Sequence, residues 1–80
     1  MATVKDTVLE HVRTEIVPGR RINYDTRLIT TGWVNSLDMV AVKTYLEGHY
    51  RISIPDRMAT PEAFDSVENI ASLLGKLGVH

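Results

Sequence analysis

The chain has 80 residues, 44% of them hydrophobic and 24% charged, with nine basic residues against ten acidic ones and a net charge of −1. That length supports one small core, and the apolar share is too high for a disordered segment, so a single domain over residues 1–80 is expected. The charge balance argues against a general nucleic-acid binder, which needs a basic surplus to neutralise phosphates. With no cysteine, disulfides, thiolate metal sites and a cysteine nucleophile are excluded. No apolar run is long enough to cross a membrane, and the first six residues lack a signal peptide's apolar stretch, so a cytoplasmic protein is expected.

From about Thr3 to Val17, the residues Val4, Val8, Leu9, Val12 and Ile16 recur at helical spacing while Glu10, Arg13 and Glu15 lie mostly off that stripe. This predicts an amphipathic helix, ended by Pro18-Gly19 because proline lacks the N–H and glycine accepts a left-handed stop. Residues 20–34 then read as a long connection rich in turn formers, anchored by Ile22, Leu28 and Ile29, with a short helical turn expected near Thr26–Ile29. A second helix is expected from Asn35 or Ser36 to about Tyr50, with asparagine as a strong cap and Asp38 in the first turn, where negative charge suits the helix dipole. Ile52-Ser53-Ile54-Pro55 reads as extended, since the residue before a proline avoids the helical region. A short third helix is expected at Thr60-Pro61-Glu62-Ala63-Phe64, where a cap residue precedes proline at the first helical position. Asp65-Ser66-Val67-Glu68 resembles a capping-box start for the last helix, whose buried stripe is Val67, Ile70, Ala71 and Leu74 and whose stop is Gly75 or Gly78. Strands have almost no support. An all-α bundle with a long first loop follows.

The second helix carries two apolar faces. At about 100° per residue, Met39, Val42, Leu46 and Tyr50 form one core-facing stripe, whereas Leu37, Val40, Ala41 and Thr44 form another. The extra stripe either packs beneath the long loop or stays open to another molecule. Beside it stands Ser36, at a helix start that favours a phosphate by about 0.3–1 kcal/mol per charge when exposed. Alternatively Ser36 is only a cap, in a small helical interaction or DNA-binding module. The N-terminal residues Ser36, Leu37 and Asp38 argue against base reading, since they offer neither arginine nor glutamine.

No catalytic or metal constellation is evident. His11, His49 and His80 lack paired ligand spacing. A Ser36–Asp38–His49 triad fails because Ser36 and Asp38 project about 200° apart and His49 lies about three turns away along the axis. There is no nucleophile elbow and no phosphate-binding glycine loop. Arg20, Arg21 and Arg27 are the one basic cluster, read either as solvated loop charge or as a docking patch. Trp33 is read either as core or as a partner contact beside the serine.

The string Gly32-Trp33-Val34-Asn35-Ser36-Leu37-Asp38-Met39-Val40 resembles the modification site of acyl carrier proteins and their aminoacyl and peptidyl relatives. The likeness continues through Tyr45-Leu46-Glu47-Gly48-His49-Tyr50-Arg51-Ile52-Ser53-Ile54-Pro55-Asp56, with Tyr50 in the aromatic place, and through Phe64-Asp65-Ser66-Val67-Glu68-Asn69-Ile70-Ala71. The resemblance implies a four-helix bundle with three longer helices and a short third one, and no catalytic activity of its own. It implies 4′-phosphopantetheine attached covalently to Ser36, holding cargo as a thioester, with Trp33, Leu37, Val40 and Thr44 as docking residues. The implied partners are a phosphopantetheinyl transferase, an adenylating or acyltransferase loading enzyme, and a downstream synthase or transferase. Neither nucleic acid nor membrane is among the implied partners, no metal is implied, and a monomer is expected. Two departures mark this chain: Asn35 stands where most carriers have aspartate, and Gly32 lies four residues before the serine rather than three. The wider glycine spacing is more similar to that of free-standing D-alanyl, aminoacyl or extender-unit carriers, which points to specialised polyketide or nonribosomal peptide biosynthesis. The interrupted acidity of the second helix implies weak electrostatic steering.

Overall fold

The computed structural model describes residues 3–79. Thr3 caps α1, which spans Val4–His11, through a reciprocal box in which its hydroxyl accepts from the Asp6 N–H and the Asp6 carboxylate accepts from the Thr3 N–H. The helix continues as a π-helical turn over Val12–Ile16 before Gly19 turns the chain at φ 85°. Val12 and Val17 are both buried although they lie five residues apart, a spacing that would leave them well off one face of an α-helix. The widened turn, closed by the Val17 N–H donating to the Val12 carbonyl at 2.9 Å, brings both to the core.

The connection over residues 20–34 is anchored by buried Ile22, Leu28 and Val34, with Ile29 half-buried. The turn expected near Thr26–Ile29 forms slightly later, at residues 29–32, where the Gly32 N–H donates to the Ile29 carbonyl at 2.9 Å. At its start the N–H groups of Leu28, Ile29 and Thr30 converge on Asp65 Oδ1 at 3.2, 2.8 and 2.9 Å, and the Thr30 hydroxyl donates to Oδ2 at 2.7 Å. The first N–H groups of such a turn have no carbonyl behind them to bond, and the carboxylate takes them up. Within the expected Asp65-Ser66-Val67-Glu68 start, Asp65 is thus taken up by the loop, and α3, spanning Val67–Lys76, is capped by Ser66, whose hydroxyl accepts from the Asn69 N–H.

The second helix, α2, spans Ser36–Tyr50 and ends where Arg51 adopts left-handed geometry at φ 55°. Its Val42 and Leu46 are buried, with Met39 and Tyr50 packed against the core. After the extended Ile52–Pro55 stretch, a 3-10 helix over Asp56–Met58 supplies the short element. The short helix expected at residues 60–64 is a single hydrogen-bonded turn, capped by the Thr60 hydroxyl at 3.2 Å from the Ala63 nitrogen and ended as Asp65 is drawn to the loop. Phe64, Val67, Ile70, Leu73 and Leu74 complete the core. Gly78 (φ 89°) and Val79 donate to the Gly75 and Leu74 carbonyls, closing α3 with a Schellman motif. Among the described residues the fold is all-α: three helices and a 3-10 turn, with no strand. α1 lies against α3, and its π-helical extension against α2.

Between α1 and α2, the His11 ring stacks on Tyr45 with centroids 3.7 Å apart and planes 6° from parallel. Its Nε2 is buried without a hydrogen-bond partner. Burial lowers the His11 pKa below 6.5, opposed by the nearby Glu15 carboxylate. The unfolded chain therefore binds a proton more readily, so stability is complete above about pH 6.5 and declines as pH falls through the folded pKa. Thermal melts of wild type and His11→Phe across this range should show that decline only in the wild type.

Candidate functional site

The site is built at the start of α2. Asn35 Oδ1 accepts from the Asp38 N–H at 2.9 Å while Asp38 Oδ2 accepts from the Asn35 N–H at 3.3 Å, a reciprocal capping box. Asn35 thus retains the capping oxygen expected of it, and Asp38 is turned back onto the cap. Ser36 is the first helical residue, exposed, and its hydroxyl makes no hydrogen bond among the described residues. Capping here belongs to Asn35. The reading of Ser36 as the helix cap is therefore corrected: its oxygen stands free to solvent, beside first-turn N–H groups that helix geometry leaves unpaired.

Around Ser36 the surface is apolar. Leu37 is 80% exposed and Val40 59%, and Ala41 and Thr44 are exposed on the same side of α2. The loop does not cover this stripe. Trp33 is half-buried against the core, with the Arg20 guanidinium carbon 4.6 Å from its ring centre, so it serves both packing and surface. Arg27 is drawn away to Asp65 Oδ2 at 3.6 Å.

The other carboxylate of α2, Glu47, accepts from the Ile54 N–H at 2.8 Å and faces the following segment rather than solvent. Sequence spacing does not disclose this, because the partner lies beyond the helix. His49 is exposed and stacks on Tyr45 at 5.4 Å, far from Ser36 in the chain and in line with the second half of α2. His80 lies outside the described residues. Among the described residues no cluster of metal-binding side chains occurs. A cavity of about 430 Å³ between the 3-10 helix and α3, lined by Arg57, Met58, Leu73 and Lys76 among others, includes none of the expected site residues. The site is a surface rather than a pocket.

The chain matches a solved structure described as Bradyrhizobium japonicum glycine:[carrier protein] ligase complexed with its cognate carrier protein and an analogue of glycyl adenylate. The TM-score is 0.63 at 25% sequence identity, covering 91% of this chain and 87% of the matched one. Coverage so nearly complete on both sides requires a matched chain of this protein's own size, which is the carrier protein of that complex. The chain has an acyl-carrier-like fold. No protein-family model matches it, and no curated protein matches it. The protein it resembles is a carrier, which is a substrate of enzymes rather than a catalyst. No described helix is long and apolar enough to cross a membrane.

Proposed function

We propose that this chain is a carrier in which Ser36 holds a phosphopantetheine arm and through it an aminoacyl or acyl unit, supplied by an adenylating ligase and used in specialised biosynthesis. The observation that carries the reading is Ser36 itself, exposed at the first turn of α2 and excused from capping by Asn35. The residues fit the group. The hydroxyl is accessible, unpaired N–H groups and the positive end of the helix dipole lie beside the phosphate position, and the Asp38 carboxylate is engaged by the Asn35 N–H.

On arm transfer, the Ser36 Oγ–phosphorus bond forms as the phosphoanhydride bond of coenzyme A breaks. The nucleotide half leaves and the serine proton passes to the transferase or solvent. When attached, the arm supplies a thiol that carries the cargo as a thioester. The chain's own residues perform no bond chemistry beyond presenting this oxygen. Leu37, Val40 and Thr44, with Trp33 at the edge, offer the docking face, and the contact is small and transient. The resemblance to a carrier seen with its glycine ligase supports an amino acid:carrier ligase as the loading enzyme.

Incubation with coenzyme A and a broad-specificity phosphopantetheinyl transferase tests the reading by mass spectrometry. Wild type should gain the arm; a folded wild type that gains nothing from several transferases would refute it. Leu37→Asp and Val40→Asp should lower transfer of cargo at least tenfold while circular dichroism stays helical, since both side chains are already in water. Loss of helicity in either would show the stripe to be part of the core.

A further inference from the structure

Both carboxylates of α2 are held by backbone N–H groups of this same chain, Asp38 by Asn35 and Glu47 by Ile54. Both keep their charge but are turned aside, Asp38 onto the helix cap and Glu47 toward residue 54, while Ser36, Leu37, Val40, Ala41 and Thr44 themselves form an uncharged face. The loop before it adds positive charge. Arg20 is seated on the ring of Trp33, which lies three residues before Ser36; its neighbour Arg21 is exposed, and neither arginine forms an ion pair among the described residues. Arg27, the third member of that cluster, is already engaged by Asp65.

From this charge pattern we infer that the surface docking on α2 is an apolar socket bordered by carboxylates where it meets Arg20 and Arg21, and that it belongs to an amino acid:carrier ligase. The inference rests on the carrier reading above and adds the chemistry of the partner. A basic surface brought against Arg20 and Arg21 would meet like charge, which opposes association. An acidic border would pair with a guanidinium already held over an indole, which has less freedom left to lose on binding. Leu37 and Val40 are the anchors for the socket, being the most exposed large apolar side chains on the helix. Attraction contributed by two surface cations is limited in reach, so association depends only moderately on salt.

The test loads the protein with the arm by a broad-specificity transferase, confirms it by mass, and titrates wild type and variants against a panel of amino acid:carrier ligases that includes the Bradyrhizobium japonicum enzyme. Affinity and thioester formation are both read. Arg20→Glu combined with Arg21→Glu should weaken binding about tenfold, with the helical circular dichroism spectrum unchanged, and Val40→Glu should weaken it at least as much. Raising salt should reduce the gap between wild type and the double variant. Binding that is unchanged or tightened by the double reversal overturns the inference, as does an arm-loaded wild type that no ligase in the panel binds; both leave the carrier reading intact. A folded wild type that never accepts the arm overturns the carrier reading, and this inference with it.

Discussion

Asp65→Ala is expected to destabilise the protein by roughly 3–5 kcal/mol. This is a large part of the ~4–12 kcal/mol that a chain of this length possesses. Asp65 is 8% exposed and gathers three consecutive backbone N–H groups on one oxygen and a hydroxyl on the other, with Arg27 at 3.6 Å. Alanine would strand the N–H groups of Ile29 and Thr30 and release the long connection from the start of α3. The Leu28 N–H would keep its 2.7 Å bond to the Asp65 backbone carbonyl. Asp65→Asn keeps an acceptor oxygen and should cost less than half as much. Burial by itself would push the Asp65 carboxyl up; the Thr30 hydroxyl, the Thr30 and Ile29 N–H groups and the Arg27 guanidinium outweigh it and hold the pKa below 3.8. The contribution is therefore complete above about pH 4 and is lost as pH falls through the folded value. Urea titrations at pH 7 and in acid should show wild type and Asp65→Ala far apart at neutrality and converging in acid. A constant gap would contradict the role given to the charge.

Ser36→Ala is expected to abolish addition of the phosphopantetheine arm and to leave stability nearly unchanged. No other residue of the sequence supplies a hydroxyl at the start of α2, and the cap bond belongs to Asn35. Asn35→Ala should do the converse, costing about 1 kcal/mol of stability while still accepting the arm at Ser36. Mass spectrometry after incubation with transferase, paired with thermal melts of both variants, separates attachment from capping. If Ser36→Ala lost a full cap's worth of stability, the assignment of the cap would be wrong. If it still gained the arm, the assignment of the attachment site would be wrong.

Much of the fold is legible in the sequence because its determinants are local. Thr3, Asn35 and Ser66 each bond an N–H three residues away, and the Val42–Leu46 stripe repeats within one helix, so spacing alone places α1, α2 and α3. The extra stripe of α2 is legible as another apolar face for the same reason, and the structure adds that Leu37 and Val40 are uncovered. The short element lies elsewhere than the spacing suggests. Thr60-Pro61 does start a turn, but one turn is all that fits before Asp65 is pulled toward Thr30. Nothing in the local pattern of Val12–Ile16 distinguishes a π-helical turn from the α-helix expected there.

By itself the sequence determined the three helices, the Asn35 cap and a serine at the head of an apolar stripe, since each depends on neighbours within about one helical turn. Tertiary structure alone decided that Asp65 organises the first loop, that Glu47 turns to the Ile54 N–H, and that Arg20 rests on Trp33. Those contacts join residues 7 to 37 positions apart in the chain. Such pairings are chosen by which donors the collapsed core leaves unsatisfied, and no residue spacing along the chain encodes that outcome.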